Sequence, residues 1–223
     1  MASVAEHLVH QLEGAGVRHI YGIVGDSLNP VVDAVRRSKK IRWIHVRHEE
    51  TAAFAAAAEA EITGQLAVCA GSCGPGNLHL INGLYDANRS HLPVLAIASH
   101  IPTSQIGTGF FQETHPDRIF DECSVFSEMI SSSEQVPRVT RSAIQQALSN
   151  HGVAVLTLPG DIADMEVSGN LPDTITSPRP ARVVPNMEDV QGLADAINRA
   201  GKVTLFVGAG ARAPTTPLWN WRN

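Results

Sequence analysis

The chain reads as an α/β protein, a parallel sheet flanked by helices, followed by the opening of a second α/β unit. Three observations predict this. Short apolar runs alternate with segments of helical period. The run Val94-Leu95-Ala96-Ile97-Ala98 is continuously apolar, as a strand covered on both faces requires. A third strand-like run passes into the glycine loop Gly71-Ser72-Cys73-Gly74-Pro75-Gly76-Asn77 before another helix, the alternation expected of strands joined by crossovers.

Taken in order, Val4, Leu8 and Leu12 recur at helical spacing, and Gly14 and Gly16 end that helix before a strand over 19–24. A helix over 29–37, a strand over 41–46, a helix over 50–62, a strand over 66–70, a helix over 78–87 and a strand over 94–98 follow, which describes repeated crossovers onto one parallel sheet. The regularity lapses over 99–116, where Pro102, Gly107, Gly109, Phe110 and Phe111 mark a long loop of the kind compact domains keep for binding. A helix over 137–150 and a strand over 153–158 complete a first domain, assigned to 1–162. Pro172, Pro178, Pro180 and Pro185 among polar residues mark a linker over 163–185. Beyond it, 187–200 has helical period, and Val203-Thr204-Leu205-Phe206-Val207 reads as a strand entering Gly208-Ala209-Gly210-Ala211-Arg212, so 186–212 opens a second α/β domain.

With 223 residues and 43% hydrophobic content, the chain can bury one full core and begin a second. Its net charge of −5 and the lack of a Lys/Arg stripe leave nucleic-acid binding without its electrostatic footprint. Cys69, Cys73 and Cys123 are an odd number in apolar or glycine-rich surroundings, which suits buried free thiols in a reducing cytoplasm. The spacing of Cys69 and Cys73 is wrong for zinc, and no metal site is expected. The N-terminus lacks a basic segment followed by an apolar one, so no signal peptide is expected. No apolar stretch approaches the roughly 20 residues of a membrane span.

Chemistry is expected first at Arg47-His48-Glu49-Glu50, which precedes the run Thr51-Ala52-Ala53-Phe54-Ala55-Ala56-Ala57-Ala58. Glu49 falls where a strand turns into a helix on the carboxyl side of a sheet, the edge at which open α/β folds keep their ligands. A carboxylate facing small apolar side chains sheds water, which favours its neutral form. The plainer reading is that Glu49 and Glu50 are first-turn acids that stabilise the helix dipole. The glycine loop is neither a dinucleotide fingerprint nor a P-loop: its order is G-x-x-G-x-G, and no Gly-Lys-Ser/Thr follows. Alone it reads equally as a tight turn.

Taken together, Tyr21-Gly22-Ile23-Val24-Gly25-Asp26-Ser27, Arg47-His48-Glu49-Glu50, the loop from Gly71 to Asn77 with His79, and Phe110-Phe111-Gln112-Glu113-Thr114-His115-Pro116 resemble the thiamine-diphosphate enzymes of the pyruvate oxidase and quinone-reducing pyruvate dehydrogenase group. The resemblance runs without an evident gap over 5–212. It implies a pyrimidine-binding domain that holds the aminopyrimidine half of thiamine diphosphate at a subunit interface. Partners would be a second copy or a full-length homologue, and the substrate a 2-oxo acid such as pyruvate. Glu49 would exchange a proton with the pyrimidine, Glu50 being the less favoured candidate one position further into the helix. Gly25, Ser72, Pro75 and Gly76 would form the cofactor wall, and His79 would border it or pack as a neutral helix histidine. Phe111 would face the reacting carbons as an apolar lid, or else anchor its loop, and Gln112 would donate a hydrogen bond there. Gly208 and Gly210 would touch a flavin, or form only a strand-end turn. His48 and His115 receive no chemistry, and Asp26 reads as a turn or cap residue. The group's reaction is oxidative decarboxylation, with FAD and then quinone as acceptors. Its members are cytoplasmic and can associate with the inner face of a membrane.

The family pattern stops after Arg212. Trp219-Asn220-Trp221-Arg222-Asn223 can be encoded TGG AAC TGG CGG AAC, and the frame one base earlier reads Leu-Glu-Leu-Ala-Glu, the helix expected after such a strand. A frameshift near Arg212 is therefore expected over 213–223, with a genuine short tail as the alternative. No Gly-Asp-Gly with a downstream Asn is present, so the family's magnesium-diphosphate signature is missing and the chain alone is expected to be inactive. A non-catalytic fragment that pairs with other chains is the second reading. A serine esterase, suggested by Gly25-Asp26-Ser27-Leu28, lacks the Asp-x-x-His pair needed to activate its serine.

Overall fold

The computed structural model describes residues 2–167, 184–206 and 208, and the chain divides into two compact units, 1–180 and 181–223. The first unit is built on a six-stranded sheet: β1 (His19–Gly22), β2 (Arg42–His45), β3 (Ala67–Gly71), β4 (Val94–His100), β5 (Phe126–Met129) and β6 (Val153–Pro159). The spatial order is β2-β1-β3-β4-β6-β5, and every pairing is parallel. Parallel strands require crossovers, and helices supply most of them: α2 (Asn29–Ser38), α3 (Glu49–Thr63), α4 (Pro75–Arg89) and α6 (Val136–Asn150).

The pleat separates two cores. Val68, Ala70, Leu95, Ile97 and Leu156 face one layer, where α1 (Val4–Gly14), α2, α6 and the short α7 (Gly160–Asp164) contribute Leu8, Leu12, Val31, Ile144 and Ile162. Cys69, Ala96 and Val155 face the other, against Ala52, Ala53, Ala56 and Ala60 of α3 and Leu80 and Leu84 of α4. The alanine face of α3 lets α4 approach closely; a Cβ added at Gly83 would come within 2.5 Å of Ala53 Cβ. Both helices start at the carboxyl edge of the sheet, so this contact also sets the first turn of α3 beside the first turn of α4.

Several element limits differ from the sequence reading for local reasons. α4 begins at Pro75, not at 78, because proline suits the first helical position, where no N–H partner is needed. α3 begins at Glu49, capped by His48, so Glu49 is the first helical residue and not part of the preceding turn. β5 was not anticipated. Phe126-Ser127-Glu128-Met129 has no apolar run, and as an edge strand it needs only one partner, β6. The short α5 (Pro116–Ile119) also lies between β4 and β5. At the other end, Met165 and Val167 bond back to the N-terminal segment through Val4 N–H to Met165 O (2.8 Å) and Val167 N–H to Ala2 O (3.0 Å).

In the second unit, α8 (Met187–Arg199) forms with Asn186 as its cap, the side chain accepting Glu188 N–H at 3.2 Å. The strand expected over 203–207 does not form in 203–206, whose apolar side chains are exposed. Apolar character alone does not make a strand, which needs a neighbour to pair its backbone. Gly210, the linker prolines Pro172, Pro178 and Pro180, and the segment 213–223 with Trp219 and Trp221 lie outside the described residues. Among the described residues no helix is long and apolar enough to cross a membrane.

Candidate functional site

The strand order reverses between β1 and β3: the chain leaves β1 for β2 on one side and later adds β3 on the other. Loops diverge at such a point and leave a crevice at the carboxyl ends of the strands. Gly25, Glu49, Ser72, Pro75, Gly76, His79 and Gln112, each singled out from sequence, line one cleft of about 380 Å³ there, with Val24, Asp26 and Cys73 completing it. They arrive from the turns after β1, β2 and β3 and from the long loop after β4.

Glu49 is the buried carboxylate of this cleft, 7% exposed. Its Oε2 lies 3.0 Å from His79 Nδ1, and its Oε1 faces Gly76, where an added Cβ would approach to 3.1 Å. Glu50 points elsewhere and accepts a hydrogen bond from Asn82 Nδ2. Gly25 and Gly76 are both wall positions: a Cβ at Gly25 would collide with Ser72, 2.7 Å from its Cβ, and one at Gly76 would be crowded, 3.3 Å from the same atom. The wall is therefore backbone, against which a flat ring can lie.

Behind the wall runs a hydroxyl chain that the sequence reading missed. Ser99 Oγ donates to Gly71 O (3.2 Å), so Ser27 Oγ, 2.6 Å from Ser99 Oγ, donates to Ser99, and Ser72 Oγ, 3.0 Å away, donates to Ser27. Ser27 Oγ also accepts Cys73 N–H at 3.1 Å, and Asn77 Nδ2 donates to Ser99 O at 2.7 Å. The chain pins the glycine loop to the turn after β1 and to β4. It also occupies Ser27 with serine partners, not with a histidine that could activate it for ester hydrolysis. The available signal was the polar Ser99-His100 pair closing the apolar run of β4.

Gln112 and Phe111 part company. Gln112 reaches the cleft, where Cys73 Sγ lies 3.5 Å from its Oε1. Phe111, 80% exposed, lines instead a neighbouring cavity of about 780 Å³ that shares Asp26, Cys73 and Gln112 with the cleft and includes Phe110, His100 and Asp161. The loop that carries them is organised by Glu113, whose carboxylate accepts the N–H groups of Gly107, Gly109 (2.7 Å) and Phe110 (3.1 Å). These bonds, that from Gly107 foremost, hold its carboxyl below the ordinary range. Burial lowers His100 below the ordinary imidazole range. Burial also pushes the Cys69 thiol up to about 12 and that of Cys123 up to about 11, which keeps both protonated and unreactive. His115 lies in the chain before α5 and does not line the cleft. Among the described residues, nothing lies within 4 Å of a Cβ placed on Gly208 in the second unit.

Residues 2–119 match the family described as "Thiamine pyrophosphate enzyme, N-terminal TPP binding domain". Over 216 residues the chain is 55% identical to an uncharacterized 42.6 kDa protein of Pseudomonas amyloderamosa, covering 96% of this chain and 54% of that protein. It is 37% identical over 213 residues to a putative thiamine pyrophosphate-containing protein of Bacillus subtilis, covering 94% of this chain and 37% of the other. Against a pyruvate oxidase of Lactiplantibacillus plantarum it is 36% identical over 213 residues, covering 92% and 34%. Acetolactate synthases match over a similar stretch. The chain thus spans about half the length of the first of these relatives and about a third of the others. By its sequence match and its parallel α/β fold, this chain belongs to the thiamine pyrophosphate enzymes, through their N-terminal TPP-binding domain.

Proposed function

We propose that this chain forms the pyrimidine side of a thiamine-diphosphate site in an enzyme that oxidatively decarboxylates pyruvate or a related 2-oxo acid, of the pyruvate oxidase and quinone-linked pyruvate dehydrogenase kind. The observation that carries the reading is Glu49, a buried carboxylate at the crevice of the sheet with one oxygen tied by His79 and the other against a backbone wall. The residues fit an aminopyrimidine: a flat polar ring suits the side-chain-free wall of Gly25 and Gly76, and Glu49 offers the proton exchange that such a ring's nitrogen needs. When bound, thiamine diphosphate supplies the carbon nucleophile that adds to the keto carbon and the electron sink that accepts the charge left by carbon dioxide.

The chain's own residues have narrower tasks. Glu49 holds or releases a proton at the ring nitrogen as a general acid-base group. Ser72 and Pro75 shape the wall, and His79 borders it. Gln112 donates its amide N–H toward the substrate, and Phe111 shields the approach through the larger cavity. In this reading 1–162 is the pyrimidine-binding domain, 163–185 a linker and 186–212 the opening of a flavin-associated domain, with Gly208 and Gly210 near the flavin. Magnesium, the diphosphate contacts and the rest of the FAD site would come from a partner domain, in a homo-oligomer or with a full-length homologue. A non-catalytic domain that pairs with such chains is the second reading.

Titrating thiamine into the isotopically labelled chain tests the site. The amide signals of Gly25 and Gly76 and the ring signals of His79 are expected to shift, more weakly after Glu49→Gln; signals indifferent to thiamine would refute the reading. Turnover is assayed with thiamine diphosphate, magnesium, pyruvate and an artificial electron acceptor, in protein proven free of any full-length homologue. None is expected from these residues by themselves, because in this reading they form only the pyrimidine side of the site. Acceptor reduction by an assembly that includes a diphosphate-binding and a flavin-binding domain would support the oxidase reading, and acetolactate as its product would replace it.

A further inference from the structure

We propose that His48 is a positioning residue for Glu49, acting through His79, and that this two-histidine stack assigns different tasks to the two oxygens of the Glu49 carboxylate. The inference deepens the reading of Glu49 as the proton-carrying group and rests on it for its catalytic meaning, although the geometry stands by itself.

His48 is fixed first. It is the N-cap of α3, in extended backbone (φ −157°, ψ 138°), and its Nδ1 accepts the Glu50 N–H at 3.3 Å. An acceptor Nδ1 places the ring proton of neutral His48 on Nε2 and ties the imidazole to the start of the helix. Its ring then stacks on that of His79, with centroids 4.3 Å apart and planes inclined by 25°. His79 needs such a wall. Its side chain is 44% exposed, so core packing leaves it free to take other rotamers, and a hydrogen bond to Glu49 alone fixes one atom of the ring and not its plane.

With His79 held in place, its Nδ1 sits 3.0 Å from Glu49 Oε2. With the exchangeable proton on or off Oε1, Oε2 carries none and only accepts, so His79 donates from Nδ1 and carries the Nδ1–H form of the ring. Oε2 is thereby tied, and Oε1 remains beside Gly76, where no Cβ intrudes and both residues line the cleft. Oε1 is the oxygen that exchanges the proton; Oε2 is the anchor. The neighbouring acid is kept out of the way by the same cluster: Glu50 Oε1 accepts from Asn82 Nδ2, and its Oε2 lies 3.9 Å from His48 Nδ1. A stack between the first residue before one helix and the second turn of the next is possible only because α3 and α4 run side by side from the same sheet edge.

The test reads the His79 tautomer directly, by long-range nitrogen–proton correlation spectra of the full chain at a pH where the imidazoles are neutral. The Nδ1–H form is expected to dominate about tenfold or more, the scale of a hydrogen bond to a charged group, and to be lost in Glu49→Gln. His48→Asn keeps a helix-capping side chain without the aromatic ring, and His48→Phe keeps the ring without the cap. If the stack positions His79, His48→Phe retains the Nδ1–H bias and His48→Asn loses it. The opposite pattern, or a bias unchanged in both variants, overturns the proposal. Amide spectra of each variant confirm that the fold persists, and Asn82→Ala serves as a neighbouring substitution that leaves the His79 tautomer in place. The readout needs no cofactor. A chain indifferent to thiamine whose His79 tautomer still follows His48 would refute the functional reading alone.

Discussion

Gln112 sits with its backbone directly over Gly74. Both residues have positive φ, 66° for Gln112 and 68° for Gly74, and a methyl group on Gly74 would meet Gln112 Cβ at 2.8 Å and Gln112 O at 2.9 Å. A non-glycine residue in the left-handed region costs energy and persists only where its surroundings enforce it. Here the glycine loop after β3 and the long loop after β4 impose it on each other. Gly74→Ala is therefore expected to cost at least about 2 kcal/mol, since it combines a disfavoured backbone conformation with a collision. It should also expose Cys73, which contacts Gln112, so thiol labelling at Cys73 should accelerate while Cys69 and Cys123 stay silent. Unchanged labelling and unchanged denaturation would show that the two loops are not interlocked.

In any assembly of this domain that turns over, Glu49→Gln should preserve folding but slow the reaction by roughly two orders of magnitude, the scale of a positioned acid-base group. Glu50→Gln should do far less, since Glu50 is held by Asn82 away from the cleft. Steady-state kinetics decide the matter, and equal losses at both positions would remove the distinction. Gln112→Ala should alter the preference among 2-oxo acids and leave cofactor binding intact.

The α3–α4 contact makes opposing demands on Gly83. Replacing a helical glycine by alanine gains about 1 kcal/mol of helix propensity, but the new methyl would press on Ala53 Cβ and lie 3.0 Å from Phe54 N. Overpacking of this kind costs about 1–3 kcal/mol. Gly83→Ala should therefore destabilise the domain and, by prising the helix N-termini apart, weaken the His79–Glu49 hydrogen bond. Urea unfolding measures the first effect, and a stabilised variant would show that the helices part without penalty.

Two buried histidines make stability depend on pH. Burial, with a smaller contribution from His10, lowers His7 below the ordinary imidazole value of 6.5, and burial does the same for His100. The unfolded chain therefore binds protons more readily than the folded one. Stability contributed by these groups is intact above about 6.5 and is lost as pH falls from there toward the folded-state values, with a slope of up to about 1.4 kcal/mol per pH unit for each histidine. Denaturation midpoints between about pH 7 and pH 5 should fall accordingly, and His7→Gln should flatten the curve. A midpoint independent of pH across that window would contradict the assignment.

Exposed Phe110 and Phe111 line the larger cavity beside the cleft, and exposed Val24 lines the cleft itself. An apolar surface of this kind drives association when nothing covers it. Light scattering over a concentration series should show self-association that Phe111→Ser reduces. A strictly monomeric, highly soluble chain would mean that this face is better shielded than its exposed side chains suggest.

The sequence by itself determined the parallel α/β class, the alternation of strands and helices, and the segments that make the site. Each of these is written in local pattern: the apolar run of β4, the alanine face of α3, the glycines after β3. Glu49 was legible too, because it is a carboxylate at a strand-to-helix junction and belongs to a family motif. What local pattern could not carry was decided by tertiary contact. β5 exists because β6 offers a free edge to a segment with no apolar run, whereas 203–206 is apolar and forms no strand. The serine chain linking Ser72, Ser27, Ser99 and Gly71, and the stack of His48 on His79, join residues tens of positions apart. Hydrogen bonds and ring contacts depend on distances of a few ångströms between atoms that only the packing of neighbouring helices and strands brings together. For the same reason Gln112 reaches the cleft and its neighbour Phe111 does not: Gln112, held in the left-handed region against Gly74, lies between the cleft and the larger cavity, whereas Phe111 lines only the larger cavity.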